Sequence, residues 1–281
     1  MDSRHTNHLF SICVWLAALL VSMAFVWILA DVLSIGWSKL SVAFLVDEPA
    51  RSGREGGIYP IIVATLWILL VALVVAVPIG LGSAIWLAEY TRTGTAFAQS
   101  IRLLLDMLAG VPSIVFGLFG YAFFCGFLGL GFSILSGGLT LACMMLPILI
   151  RTAEAGFASV PNEWRLGGAA LGMSRATLLK HVLLPYASPA ITAGLLLAIG
   201  RATAETAALI FTSGYVDRMP ESLHDSGRAL AVHIYDLSMN VTGGDKAAYG
   251  SALVLILVIL VINLVASQLM DYWLARRVSR L

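Results

Sequence analysis

The chain is poor in charge. Asp, Glu, Lys and Arg make up 12% of its 281 residues, and 17 Lys and Arg against 16 Asp and Glu leave a formal net charge of +1. With no basic excess to hold a nucleic-acid backbone, nucleic acid is excluded as a partner. Cysteine is scarce as well. Cys13, Cys125 and Cys143 each sit in an apolar run without CxxC spacing, which reads as membrane-buried thiols rather than disulfides or metal ligands. The sequence has no GxxxxGK[ST] phosphate loop, so the chain is not itself an NTPase of that type. It has no HExxH pair and no TVGYG filter. His181, His224 and His233 are scattered, His5 and His8 lie in the N-terminal tail, and no serine is paired with a base beyond chance. Enzyme chemistry therefore finds no foothold.

What is abundant is apolar: AVILMFWYC reach 59% and the mean hydropathy is +0.92, the signature of a membrane protein. A helix crossing about 30 Å of hydrocarbon needs roughly 20 apolar residues. Stretches free of Asp, Glu, Lys and Arg run over 9–30, 61–88, 107–150, 182–200 and 247–270. The third is too long for one helix and carries Gly126, Gly129, Gly131, Ser136, Gly137 and Gly138 in its middle, which predicts two spans and a tight turn. The fourth has a helix-start signal at Ser188-Pro189 and makes a full crossing if it runs past Arg201 and Glu205 to about Ser213. The expectation is an all-α integral membrane protein of six transmembrane helices, one domain over 1–281 with its core at about 60–275. No internal repeat or linker divides it.

Cations set the orientation. Arg4, Arg92, Arg102, Arg151, Arg165, Arg175, Lys180, Arg276, Arg277 and Arg280 collect on one side, against Lys39, Arg51, Arg54, Arg218, Arg228 and Lys246 on the other. Both termini are therefore expected to be cytoplasmic. The first apolar run exceeds the 7 to 15 residues of a cleavable signal core, so it is expected to remain as an anchor. The outer loops fall at about 34–60 and 214–247.

Three clusters carry chemical signal. In GRATAETAAL, Arg201 and Glu205 stand four apart, on one face of the expected fifth helix. Counted from Pro189 at about 1.5 Å per residue, Arg201 falls near the bilayer midplane. A charge there costs roughly 2.5 kcal/mol or more and normally faces a bundle interior or a water-filled path. The pair reads as a fixed positive charge on an anion pathway with Glu205 balancing it, or as an ion pair that staples helices. In IRLLLDMLAGVPSIVFGLFG, Arg102 and Asp106 precede Pro112 and Ser113. That pattern reads as a flexible pathway-lining helix, or as a packing kink with an interfacial ion pair. Gly117, Gly120, Gly126 and Gly129 read as close-packing positions.

The third cluster is the inner loop at about 159–185, SVPNEWRLGGAALGMSRATLLKHVLLP. Ser159 and Pro161 read as a helix start, Gly172 as a stop and Ser174 as a second start, giving a short helix, a turn and an amphipathic helix that ends before Pro185. Trp164, Ala169, Ala170 and Leu171 offer an apolar surface too small to be a core. The loop is a docking knob for a soluble partner or a helix lying on lipid headgroups.

Several stretches together resemble the PstA-type permease subunits of bacterial phosphate ABC importers: WLAEYTR (86–92), IRLLLDMLAGVPSIVFGLFG (101–120), LPILIRTAE (146–154), the string 160–185, and GLLLAIGRATAETAALIFTSGY (194–215). The resemblance implies the type I ABC importer permease fold with a cytoplasmic coupling helix, in the bacterial inner membrane. The implied partners are a PstC-like second permease, two PstB-like ATPase subunits and an extracytoplasmic PstS-like phosphate-binding protein. ATP and Mg would sit on the ATPase, with no cofactor on this chain.

The substrate pathway by resemblance takes Arg201, Glu205, Thr206, Pro112 and Ser113. Contact with the ATPase takes Glu163, Trp164, Arg165, Ala169, Ala170, Leu171 and Gly172. The chain departs from the family where Leu166, Gly167 and Gly168 replace Glu-Ala-Ala, so that Glu163 or Arg165 substitutes for the missing charged contact. It departs again at Ala204 and Ala208, which replace a glycine and a proline. Other readings are a permease for sulfate, molybdate or phosphonate, an ion-coupled secondary carrier, which the lack of an inverted repeat opposes, and an intramembrane hydrolase.

Overall fold

The computed structural model describes residues 3–91 and 94–278, without the side chains of 3–9, 271 and 273–278. Arg92 and Arg280, and the side chains of Arg4, Arg276 and Arg277, lie outside the described residues. The order is α1 (Ser3–Trp37), α2 (Val42–Val46), the two-residue strands β1 (Pro49–Ala50) and β2 (Glu55–Gly56), α3 (Tyr59–Ile85), α4 (Ala96–Ala109), α5 (Ser113–Gly120), α6 (Ile134–Ala158), α7 (Asn162–Ala170), α8 (Arg175–Leu178), α9 (Leu184–Thr203), α10 (Ala207–Ile210), α11 (Leu230–Met239) and α12 (Asp245–Val278). Wider π-type turns at Trp86–Tyr90, Tyr121–Phe127 and Leu179–Leu183 extend α3, α5 and α8.

Five helices are long and apolar enough to cross a membrane: Phe10–Trp37, Tyr59–Tyr90, Ile134–Ala158, Arg175–Thr203 and Asp245–Met270. Among the described residues the pair Ala96–Ala109 and Ser113–Phe127, bent by 101° at the break between them, makes a sixth when it is counted as one span. The expected third span from 107 is therefore corrected. Met107 lies in the last turn of α4, which ends at Ala109, and a separate helix begins at Ser113 after Pro112 takes an extended conformation. Proline has no N–H and disfavours a helical residue before it, so the chain turns there instead of kinking gently. Gly129 and Gly131 take positive φ in the turn between α5 and α6, so Gly129 serves the turn, not the close packing expected of it.

The fifth span also departs from expectation at both ends. It runs continuously from Arg175, through Pro185 and Pro189, so the amphipathic helix does not stop before Pro185. The π-type turn at Leu179–Leu183 widens the helix just ahead of Pro185. The Ser188 hydroxyl donates to the Pro185 carbonyl that Pro189 cannot serve (2.7 Å). At its other end the helix stops at Thr203 rather than reaching Ser213.

The centre of the molecule is α6, flanked by α3 and α9, with Ile68, Ala72, Leu141, Met145, Ala198 and Ala202 buried together. In lipid, apolar contact gains little over the solvent, so helices associate through close packing at small residues. Gly138 sits against Val71, Gly156 against Ala187 and Ala190, and Gly194 against Thr152. A side chain at Gly194 would collide with Thr152 and part α6 from α9. The helix α1 touches mainly α12, and its span is exposed along its length. One end of the bundle carries the β1–β2 hairpin and α11, and the opposite end carries α7; they are called the hairpin end and the α7 end.

Candidate functional site

Gly156 meets Ala187 and Gly194 meets Thr152, so α9 runs antiparallel to α6. Continued at one residue per residue, this register sets Arg201 level with about Met145, roughly 16 Å along α6 from Ile134. Arg201 therefore lies at mid-depth, as its distance from Pro189 predicts. Its side chain is on the exposed face of α9 with Ala193, Leu197 and Ala204, while Gly194, Ala198 and Ala202 face inward. It has no ion-pair or hydrogen-bond partner among the described residues.

Glu205 does not share that face. The helix ends between the two residues, Glu205 is buried, and its Oε1 accepts the backbone N–H of Ala208 (3.3 Å). A carboxylate that caps the next turn competes with continued helix, which explains why the span breaks at Ala204 rather than running to Ser213. Thr206 is half-buried at the start of α10. Beyond the break α10 descends along the hairpin-end half of α6, where Leu209 and Ser213 meet Gly137.

Pro112 and Ser113 begin α5, which lies against α10. Gly117 approaches Ala208 and Phe211, and Gly120 approaches Thr140 and Thr212. Val111 and Phe116 share an apolar cluster with Ala202 and Leu209. The structure thus brings the elbow before α5 and the break after α9 into one neighbourhood, with Arg201 on its open side. A separate apolar cavity of about 620 Å³ between α3, α9 and α12 has Ser188 as its polar lining residue. That hydroxyl is already bonded, so the cavity offers nothing to an anion.

Arg102 and Asp106 do not pair with each other. Arg102 Nε meets Glu154 Oε1 at 2.5 Å, and Asp106 takes a two-pronged contact from Arg151 at 2.8 and 3.2 Å. Arg151 Nη1 closes the network on Glu154 Oε2 at 2.9 Å. The spacing of Arg102 and Asp106 predicts a pair within α4, whereas each residue reaches across to α6. Glu154 and Arg151 are visible at the end of LPILIRTAE, where a carboxylate closing an apolar span requires a partner.

The α7 segment is a short helix followed by a Gly172 turn at φ +71°, and the Ser174 hydroxyl accepts the Thr177 N–H at 3.2 Å. Ser159 belongs to the end of α6, where its hydroxyl donates to Gly156 O, and does not start α7. Glu163, Trp164, Leu166, Ala169, Ala170, Leu171 and Gly172 are exposed. Trp164 also packs edge-on against Tyr186, with ring centroids 5.1 Å apart. Arg165 is turned the other way: its guanidinium is two-pronged on Glu89 (2.6 and 3.2 Å) and donates to the carbonyls of Phe157 and Val160, both at 2.8 Å. It holds α7 to the bundle and leaves Glu163 as the charge on the exposed face.

The hairpin end contains a polar centre that residue spacing did not reveal. Arg228 is buried; it contacts Asp236 at 3.2 Å and Asp217 at 3.8 Å, and donates to Tyr215 O at 2.8 Å. Its Nη1 lies 3.4 Å from His233 Nδ1. A guanidinium only donates, so Nδ1 accepts and the proton resides on Nε2, which is buried without a partner. Burial first, and the Arg228 charge second, push the His233 pKa down to about 3.

The family model described as "Binding-protein-dependent transport system inner membrane component" matches residues 76–280. The chain is 30% identical to "Probable ABC transporter permease protein YqgI" of Bacillus subtilis (strain 168) over 284 residues, covering 96% of each chain. It is 34% identical to "Phosphate transport system permease protein PstA 1" of Mycobacterium tuberculosis (strain ATCC 25618 / H37Rv) over 250 residues, covering 87% of this chain and 80% of that one. Among solved structures, a bacterial ABC transporter involved in import of the acidic polysaccharide alginate matches with a TM-score of 0.63 at 13% identity, covering 96% and 99% of the two chains. The methionine ABC transporter MetNI, in an inward-facing conformation, matches with a TM-score of 0.53 at 13% identity, covering 79% and 94%. The fold is that of type I ABC importer transmembrane domains, and the chain belongs to the family of binding-protein-dependent transport system inner membrane components, the multi-pass permease subunits of multi-subunit ABC importers.

Proposed function

We propose that the chain is one half of the permease of an ATP-driven phosphate importer. It would pair with a PstC-like second permease, two PstB-like ATPases that bind ATP and Mg, and a PstS-like phosphate-binding protein, with no cofactor of its own. The observation that carries the reading is Arg201: a guanidinium at mid-depth, on an open helix face, with its charge uncompensated among the described residues. The named phosphate permeases among its relatives support the choice of anion.

A guanidinium offers planar, paired donors that match a phosphate oxyanion. Glu205, held on the α10 backbone, places a negative charge beside the pathway and keeps Arg201 from becoming a permanent trap, because a site that binds too tightly does not release. Thr206, Pro112 and Ser113 line the same neighbourhood. The exposed face of α7, with Glu163, Trp164, Ala169, Ala170, Leu171 and Gly172, is the coupling helix that seats on the ATPase, and Arg165 supports it from behind. The α7 end and both termini are then cytoplasmic, and the single domain 1–281 receives the binding protein at its hairpin end.

The test is labelled-phosphate uptake by cells carrying the full complex, with unlabelled sulfate, molybdate and phosphonate as competitors and co-purification as the assembly check. Uptake competed by phosphate and lost in an assembled Arg201→Ala variant supports the reading. Competition by another oxyanion changes the ligand, and normal uptake in the variant makes Arg201 a structural residue.

A further inference from the structure

Two sets of ion pairs at the α7 end converge on one five-residue turn. Arg165 of α7 grips Glu89, at the end of α3, through both guanidinium prongs. Two residues earlier, the carbonyl of Leu87 in the same π-type turn accepts Arg102 Nη2 at 3.3 Å. Arg102 belongs to α4, and it continues through Glu154 and Arg151 to Asp106. The turn at Trp86–Tyr90 is thus held by α7 on one side and by α4 on the other.

The helix α4 is attached in an unusual way. Its apolar side chains Phe97, Leu104, Met107 and Leu108 point outward, and only Ala98 and Leu105 are buried. Arg102 is turned toward the protein, where its side chain is 26% exposed and that of Glu154 8%, while Asp106 keeps an open side. Charge-assisted, two-pronged contacts fix the rotation of a helix more sharply than apolar burial does, because they have direction. The same helix ends at the 101° elbow, and the next element, α5, packs through Gly117 and Gly120 on the segment that follows Glu205.

We infer that Glu89, Arg102 and Glu154 are positioning residues for transport. Together with Arg165, Arg151 and Asp106 they form a strap of ion pairs that ties α7, through the turn at Trp86–Tyr90 and the cross-lying α4, to the elbow ahead of α5 and so to the broken span that carries Arg201. The inference rests on the reading of α7 as the helix that meets the ATPase. The strap gives a displacement of α7 a stiff route across the ends of α3 and α6 to α4 and the elbow. Contiguous networks of this kind count as coupling only when both ends are shown to respond, so the test reads both.

The experiment uses the full complex in liposomes with the binding protein present, with Cys13, Cys125 and Cys143 replaced by alanine. Spin labels are placed at Leu118 on α5 and Leu264 on α12, both exposed and outside the strap. Three quantities are read: ATP hydrolysis, labelled-phosphate uptake per ATP, and the change in label separation on trapping nucleotide with vanadate. In the parent complex the separation changes with nucleotide. Arg102→Gln and Glu154→Gln keep hydrolysis within about twofold but cut uptake per ATP by roughly tenfold, inside the range of ordinary site-to-site coupling, and abolish the change in separation. Arg102→Lys recovers most of both, and the double variant is no worse than either single change.

Glu89→Gln, at the other end of the strap, gives the same loss and serves if the Arg102 variant does not assemble. An assembled Arg102→Gln or Glu89→Gln complex with the parent's coupling and separation change overturns the inference, as does a parent whose label separation ignores nucleotide. A parent that responds to nucleotide but imports no phosphate removes the ligand reading and leaves the strap standing.

Discussion

Two arginines with opposite fates divide the molecule. At the hairpin end Arg228 is buried and fully engaged, with Asp236, Asp217 and the Tyr215 carbonyl around it and His233 against its side. At mid-depth Arg201 is exposed on its subunit and engages nothing among the described residues. A buried charge persists when its neighbours compensate it, and it then has no capacity left for a ligand. A charge held at the depth of the hydrocarbon without compensation is costly, and such residues mark ion paths. The difference separates a charge that builds the fold from one that the fold presents.

The comparison breaks first if Arg228 is removable. Arg228→Leu leaves Asp236 partly buried without its cation, a loss of about 3–5 kcal/mol. It should lower the melting temperature of the purified complex and expose 214–247 to protease, and an unchanged melt would mean that Arg228 holds nothing. Arg201→Ala should do the reverse. Uptake falls about 100-fold, equivalent to about 2.7 kcal/mol in the transport barrier, while the melt and co-purification stay at the parent values.

A pH series sharpens the hairpin-end half of the contrast. His233 has a folded pKa of about 3, below its unfolded value near 6.5. The stability at stake is therefore fully present above about pH 6.5 and is lost progressively as pH falls toward 3. The slope is about 1.4 kcal/mol per unit, or roughly 2 kcal/mol by pH 5. His233→Gln should flatten that dependence in melts at pH 7.5 and pH 5, leaving the remaining slope to other groups. The smallest effect belongs to Glu55→Gln. Its pair with Arg51 is open to solvent, with side chains 50% and 67% exposed, so the melt should shift by no more than about 0.5 kcal/mol.

The continuous spans and the helix, turn and second helix start of the α7 segment could be read from the sequence because their signals are local. Apolar runs long enough to cross the bilayer gave the continuous helices, Gly172 stopped α7, and Ser174 started the next helix. The failures share one cause. Spacing reports only neighbours along the chain, whereas the partners of Arg102 and Asp106 on α6 lie 45 or more residues away. An exposed-looking loop residue such as Arg165 gives no sign in the sequence of Glu89 behind it. The helix period places Arg201 and Glu205 on one face, but the helix does not run past Thr203, and the Glu205 side chain caps the next turn.

The sequence by itself determined the membrane character, the five continuous apolar helices, the position of Arg201 level with the middle of α6 and the absence of a nucleotide-binding loop. These depend on composition, run length and rise per residue, all of which are fixed before any two helices meet. Only the tertiary structure decided which charges are neutralised and which stay open. Compensation needs oppositely charged atoms within about 4 Å, and packing sets that distance: α6 delivers Glu154 to Arg102, α11 delivers Asp236 to Arg228, and nothing among the described residues is delivered to Arg201.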